Sequence, residues 1–174
     1  MDFLSQNKSG EEVYHSNKSF FSLKKNDIEN LIELAKYTSR NRVRFCSHSS
    51  SSDNLHEMFI VHPKNAYVRP HKHLKKIESM IVLYGEVEYV VFDDEGRIEN
   101  SISMGNFEST NPFYQTIREE TYHSLIIKSD WLVFLEITNG PFYKKDTIFA
   151  EWSPIESELE EVKKYMNKIN SEVL

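Results

Sequence analysis

From Leu55 to Asn139 the chain never runs far without a turn signal. Leu55 to Val61, Ala66 to His73, Ser79 to Leu83, Glu86 to Phe92, Arg97 to Ser103, His123 to Ile127 and Trp131 to Thr138 each read as a short strand. Between them lie His62-Pro63-Lys64-Asn65, Tyr84-Gly85, Asp93-Asp94-Glu95-Gly96, Met104-Gly105-Asn106 and Lys128-Ser129-Asp130, and Asn139-Gly140-Pro141 ends the series. Asp93 to Gly96 is a strong hairpin signal, because glycine accepts positive φ without a steric penalty. Short strands at this spacing argue for an all-β sandwich or barrel. Upstream, Arg42, Arg44 and Cys46 alternate with Val43 and Phe45, a strand with one polar face, and Ser49 to Asn54 is a loop. A short strand is expected around Val13-Tyr14 or Phe20-Phe21, and Phe113 to Ile117 can pair.

A helix flanks this core on each side. Ile28, Leu31, Ile32 and Ala35 repeat at i, i+3, i+4 and i+7, one buried stripe, with Ser22, or alternatively Asn26 or Asp27, as N-cap. This helix should fade near Tyr37 to Ser39. Ser153 followed by Pro154 reads as the cap and first residue of a final helix. Leu159, Val162, Met166 and Ile169 form its apolar stripe, a packing surface or a dimer arm. The organisation expected is one domain over 1–174: an N-terminal extension and helix to about 41, a β-barrel over about 42–150, and a helix over about 153–172.

Composition excludes several function classes. A formal charge of −6 gives no support to nucleic-acid binding. Cys46 is the only cysteine, which leaves no intrachain disulfide and no cysteine-based zinc cluster. No apolar run approaches a membrane span, and the polar stretch from Met1 to Gly10, expected to be loose, lacks the features of a signal peptide. A cytoplasmic setting is the default expectation. No nucleophile elbow and no phosphate-binding glycine loop is present. His15 and His62 read as surface residues, and Cys46, beside Phe45, reads as buried.

The chemistry concentrates in Tyr67 to Gly85. A strand puts residues i and i+2 on one face, so His71 and His73 point the same way, with Tyr67 and Arg69 before them. Two adjacent imidazoles fit an apolar core poorly, because each ring nitrogen needs a partner, and they suit a divalent metal. Glu78 follows the short turn Leu74-Lys75-Lys76, and a hairpin there brings its carboxylate back beside both rings.

His71, His73, Glu78 and Gly85 match in spacing the first cupin motif, His-x-His, four residues, Glu, six residues, Gly. The motif's earlier glycine is replaced by Asn65, a residue that tolerates a left-handed turn. The second cupin motif has a histidine two residues after a glycine and five after a proline. Here His123 is present, with Glu120 and Arg118 in the other two places. The resemblance implies a cupin-type antiparallel β-barrel, the double-stranded β-helix, holding one divalent metal on His71, His73, Glu78 and His123. Donors of nitrogen and oxygen suit Fe, Mn, Ni, Co or Zn without choosing among them. Arg42, Arg44, Cys46, His48, Leu55-His56-Glu57-Met58, Tyr67, Pro70, Ser79, Val82 and Phe92 with Gly96 extend the likeness to the WbuC family of cupin-fold metalloproteins, over roughly residues 20–155. That family's members tend to be encoded among genes for O-antigen polysaccharide synthesis.

Around the metal, Tyr67 and Arg69 should face the same lumen. Arg69 either grips a carboxylate or phosphate with its planar fork, or sits at the barrel mouth paired with an acid. His56 and Glu57 face opposite ways, so His56 either lines the site or faces solvent, and Arg44 and His48 reach the rim. The function expected is an enzyme acting on a sugar or nucleotide-sugar intermediate of surface polysaccharide synthesis, of isomerase, epimerase or oxygenase type, with no catalytic residue assigned. The ligand is expected to be small and sugar-like or anionic, and a homodimer is open. The alternative is a non-catalytic, metal-dependent binding or sensor module.

Overall fold

The computed structural model describes residues 7–173. The elements are β1 (Asn7–Lys8), β2 (Val13–His15), α1 (Lys25–Ala35), β3 (Val43–Cys46), β4 (Leu55–Pro63), β5 (His71–His73) and β6 (Glu78–Tyr84). They continue with β7 (Glu86–Phe92), β8 (Ile98–Gly105), β9 (Tyr114–Ile117), β10 (Tyr122–Ile127), β11 (Trp131–Asn139), a 3₁₀ turn (Lys144–Asp146), β12 (Thr147–Phe149) and α2 (Leu159–Glu172). One sheet runs β1-β2-β3-β4-β11-β6-β9 and the other β12-β5-β10-β7-β8. Every pairing is antiparallel except β2 with β3, which is parallel. Of the stretch expected to be loose, residues 1–6 lie outside the described residues, while Asn7 and Lys8 pair with β2.

The two sheets face each other. Met58, Ile60, Met80, Val82, Tyr89, Leu125, Leu132 and Phe134 fill the space between them. On the far side of the first sheet, Phe45, Val61 and Val133 pack under Leu31, Ile32 and Ala35 of α1. On the far side of the second, Val90, Phe92 and Ile126 pack under Ile169 of α2, with Trp152, Tyr165 and Met166 at the margin. This layering explains why β7 and β11 are so apolar: both of their faces are covered. The result is the expected all-β jelly roll with one helix on each outer face. Of the α2 stripe, Ile169 is buried and Met166 packs beside it, while Leu159, at its start, is exposed.

Two glycines make the sharp reversals possible. Gly85 takes φ +86° where the chain crosses from β6 to β7, and a Cβ there would collide with the Trp131 carbonyl and the Ser129 hydroxyl. Gly96 takes φ +85° in the β7–β8 hairpin, packed against the Trp152 ring.

Several boundaries differ from expectation. Helix α1 is capped at Lys24, not Ser22, and Asp27 acts from within the first turn by accepting the Lys24 N–H at 2.9 Å. Helix α2 begins at Leu159, not at Ser153-Pro154, because the Ser153 hydroxyl is engaged elsewhere, donating to the Ala150 carbonyl at 2.8 Å. Residues 66–70 form no ladder, so the paired motif strand is only β5. Phe20-Phe21 forms no strand, and His62 and Pro63 continue β4 instead of turning. Asn65 does not take positive φ; among the described residues the non-glycine positions that do are Asn41 and Lys75.

Leu31 is fully buried between α1 and the first sheet. Replacing it with Ala should lower stability by ~2–5 kcal/mol, through lost burial plus the cavity left behind. Urea unfolding should show a lower midpoint with an unchanged slope.

Candidate metal centre and cavity

The three expected histidines converge. His71 and His73 lie on β5, and His123 on β10 pairs directly with His71. Their ring centroids are 4.7 Å apart for His71 and His123, 4.9 Å for His71 and His73, and 5.8 Å for His73 and His123. One ligand atom from each lies within 4.8 Å of the others. Glu78 comes from β6 in the facing sheet. Its carboxylate reaches His73 Nε2 at 3.2 Å and His123 Nε2 at 3.5 Å.

Each ring is held by its other nitrogen. His71 Nδ1 meets the Arg69 carbonyl at 2.8 Å, His123 Nδ1 the Thr121 carbonyl at 3.0 Å, and His73 Nδ1 the Thr147 hydroxyl at 3.1 Å. A carbonyl only accepts, so His71 and His123 each carry a proton on Nδ1. Burial keeps His71 neutral with an Nε2 lone pair, while for His123 burial is outweighed by Glu78, which holds the ring above the usual imidazole range until a cation displaces its inner proton. The His123 Nε2 is buried with no hydrogen-bond partner. Burial, helped by His123, pulls His71 down to about 3, so it is neutral at ordinary pH. For Glu78, burial works against ionisation, but the His123 and His73 rings outweigh it and hold the carboxyl well below its usual range. Three imidazoles and one carboxylate, with their outer atoms pinned, form a donor set that fits a divalent cation.

These groups line a cavity of about 470 Å³ between the sheets. Tyr67, Arg69, His56, Arg44 and His48 all line it as well, so the whole expected set is brought together. Their polar ends are not equally free. Among the described residues Arg69 pairs with no acid. Its guanidinium donates to the Ala150 carbonyl at 2.9 Å, the Ser153 carbonyl at 3.2 Å and the Ser153 hydroxyl at 3.1 Å, which fastens the segment before α2. The Tyr67 hydroxyl donates to the Pro154 carbonyl at 3.0 Å. Arg44, by contrast, makes no side-chain hydrogen bond or ion pair among the described residues. His15 and His62 also line the cavity, contrary to the surface placement expected of them.

The sequence reading missed Glu136. It sits on β11, opposite Met58 on one side and Met80 on the other, and faces the cavity. Burial and the Glu78 charge push its carboxyl up to about 8, against smaller pulls from Arg44 and His123. At neutral pH it is therefore a carboxylic acid. The signal was an ionisable residue inside the most apolar strand of the chain. Tyr89 was missed too. It stacks on His123 at 5.6 Å, and its buried hydroxyl has no hydrogen-bond partner.

The fold is a cupin-type jelly roll, with a histidine and carboxylate cluster between its sheets. A family model described only as a domain of unknown function, DUF6016, matches residues 23–104. No curated protein matches the sequence. Among solved structures, a protein from Shewanella oneidensis is similar at a TM-score of 0.55 and 9% identity, covering 80% of this chain and 92% of that one. Oxalate decarboxylase from Bacillus subtilis is similar at 0.47 and 20%, covering 64% of this chain, which spans only 29% of that enzyme. A sugar phosphate isomerase of the cupin superfamily from Silicibacter pomeroyi is similar at 0.40 and 15%, covering 51% of this chain and 52% of that one. Among the described residues, no helix is long and apolar enough to cross a membrane.

Between about pH 4.5 and 8 the folded chain keeps a proton on Glu136 that the unfolded chain has lost, so this group makes stability fall as pH rises. Glu136→Gln should therefore gain stability over the parent as pH is raised from 5 to 8, by at most ~1.4 kcal/mol per pH unit. Urea unfolding of chelator-treated protein at several pH values measures this, and a pH-independent difference contradicts it.

Proposed function

We propose that the chain is a metal-dependent enzyme that binds one divalent cation on His71, His73, Glu78 and His123 and acts on a small, anionic, sugar-like molecule. The observation that carries this reading is the pinned cluster on the wall of a cavity that also holds an unpaired acid, Glu136. Resemblance to the WbuC family supports a substrate among sugar or nucleotide-sugar intermediates of surface polysaccharide synthesis.

When bound, the cation supplies a Lewis acid for a carbonyl or hydroxyl oxygen. The rest falls to the chain. His71, His73 and His123 hold their lone pairs inward through fixed outer contacts. Glu136, whose acid form burial favours, gives a proton to a substrate oxygen or carbon and takes one back as carboxylate, and a cation that offsets the Glu78 charge eases its ionisation. Arg44, with its fork unengaged, takes a carboxylate or phosphate at the rim. Phe142 and Phe149 on the cavity wall limit the entry of water. Such a set suits proton movement next to a polarised carbonyl, the chemistry of an isomerase or epimerase.

Elemental analysis of the purified parent and of the folded double variant His71→Ala, His73→Ala should differ by close to one divalent ion per chain. Isothermal calorimetry against a panel of sugar nucleotides, followed by product analysis, tests the substrate. Binding without turnover favours a sensor module over an enzyme, and absence of metal from folded protein overturns both.

Thr147→Val removes the hydroxyl that orients His73 while keeping the side-chain shape. Divalent affinity should fall ~10–100-fold, read by competition with a fluorescent chelator. Retention of full affinity would show that Thr147 does not position the ring.

A further inference from the structure

A second group of metal-type donors lines the same cavity. His15 on β2 is the direct strand neighbour of Cys46 on β3, a consequence of the parallel register between these strands. His48 lies two residues beyond Cys46. One ring nitrogen from each histidine and the Cys46 sulfur all lie within 4.8 Å of one another. We propose that His15, Cys46 and His48 form a second metal site, separate from the His71 cluster, for a thiophilic divalent cation of the zinc class.

The geometry is that of a coordination sphere almost drawn in. Zinc binds nitrogen at ~2.0 Å and sulfur at ~2.3 Å, so its ligands lie roughly 3.5 Å apart. Closing the remaining distance requires His15 and Cys46 to move toward the braced His48 ring. The His15 Nδ1 meets the His48 carbonyl at 3.2 Å, which places its proton there and leaves its Nε2 lone pair for a metal. His48 stacks face to face on His56 at 4.1 Å and meets His15 edge-on at 5.6 Å, so its ring plane is fixed. Its Nδ1 accepts the Glu57 N–H at a long 3.3 Å, and coordination exchanges that contact for a metal bond or moves the ring proton.

Cys46 is 2% exposed, and burial pushes its thiol up to about 11. Such a thiol is a poor nucleophile, and a cation that displaces its proton supplies the missing counter-charge. Burial together with the neighbouring His56 also holds the His48 ring down, in the neutral form that binds metals. The donor set differs in kind from the deep cluster: thiolate with imidazole selects zinc-like ions, while three imidazoles and a carboxylate accept harder ones. The site stands independently of the function proposed above.

The test is a cobalt titration of the full chain after chelator treatment. A near-ultraviolet thiolate-to-cobalt charge-transfer band should grow to saturation and be bleached by zinc, with about one equivalent taken up in the His71→Ala, His73→Ala variant, where this site stands alone. Cys46→Ser should abolish the band. His15→Ala should weaken its cobalt affinity at least ~10-fold, and the double variant His71→Ala, His73→Ala should keep it. Circular dichroism confirms that each variant is folded; if Cys46→Ser is not, His15→Ala carries the test. Absence of the band at saturating cobalt, in the parent and in the folded double variant, overturns the proposal and leaves Cys46 a plain core residue. So does an unchanged affinity in His15→Ala, or loss of the band in the folded double variant.

Discussion

A carboxylate held between two apolar sheets is the interaction on which the arrangement turns. Glu78 is 6% exposed, and removing an ion from water costs several kcal/mol after relaxation. That cost has to be met locally, and His73 and His123 meet it from the opposite sheet. The same demand accounts for the rest of the neighbourhood. Rings that answer a buried charge must not rotate away, so each is tied by its outer nitrogen. A second acid in reach of Glu78 cannot also be ionised cheaply, so Glu136 stays protonated. One buried charge thus keeps two rings turned inward and a neutral acid beside them.

Positioning Glu78 depends on the turn before it. Lys75 adopts φ 58°, a strained choice for a non-glycine residue, and the turn is braced from three sides. The Lys75 N–H donates to the Glu120 carboxylate at 2.9 Å, the Ile77 N–H to the Asn139 side chain at 2.8 Å, and the Leu74 N–H to the Asp146 carbonyl at 2.8 Å. Glu120 stands where the second cupin motif has glycine. Read on the sequence alone, that change looks like damage to the loop before His123. In the folded chain it links that loop to the turn before Glu78, so two donors from opposite sheets are fixed relative to each other. The departure from the motif carries a structural role of its own.

Much of this was legible because it depends on local period. Strands with a two-residue repeat, the stripe of α1 and the spacing from His71 to Gly85 all encode their faces directly. What was not legible depends on partners far along the chain. Ser153 looks like a helix cap until Arg69, 84 positions away, takes its hydroxyl. Tyr67 and Arg69 keep the expected facing even though residues 66–70 make no ladder, yet where their polar ends go is decided by carbonyls at Ala150, Ser153 and Pro154. His15 reads as a surface residue because its strand is three residues long; its parallel pairing with β3 turns it toward Cys46. Glu136 was passed over because a strand so apolar suggests only core.

The buried polar groups without a protein partner are gathered around the cavity. Among the described residues, the buried side-chain atoms without a hydrogen-bond partner belong to Arg42, His56, His62, Tyr89, Gln115, His123, Thr138 and Tyr165. All but Gln115 and Tyr165 line the one cavity. Each such atom costs ~1–3 kcal/mol if left unpaired, and apolar residues of similar shape would remove that cost. Packing alone therefore gives no reason to gather these residues here. Met58, Met80, Leu125 and Phe134 line the same cavity and show that the strands can supply apolar side chains at neighbouring positions. A fold that gathers these donors and acceptors around one space leaves them to be met by what fills that space, water or a ligand.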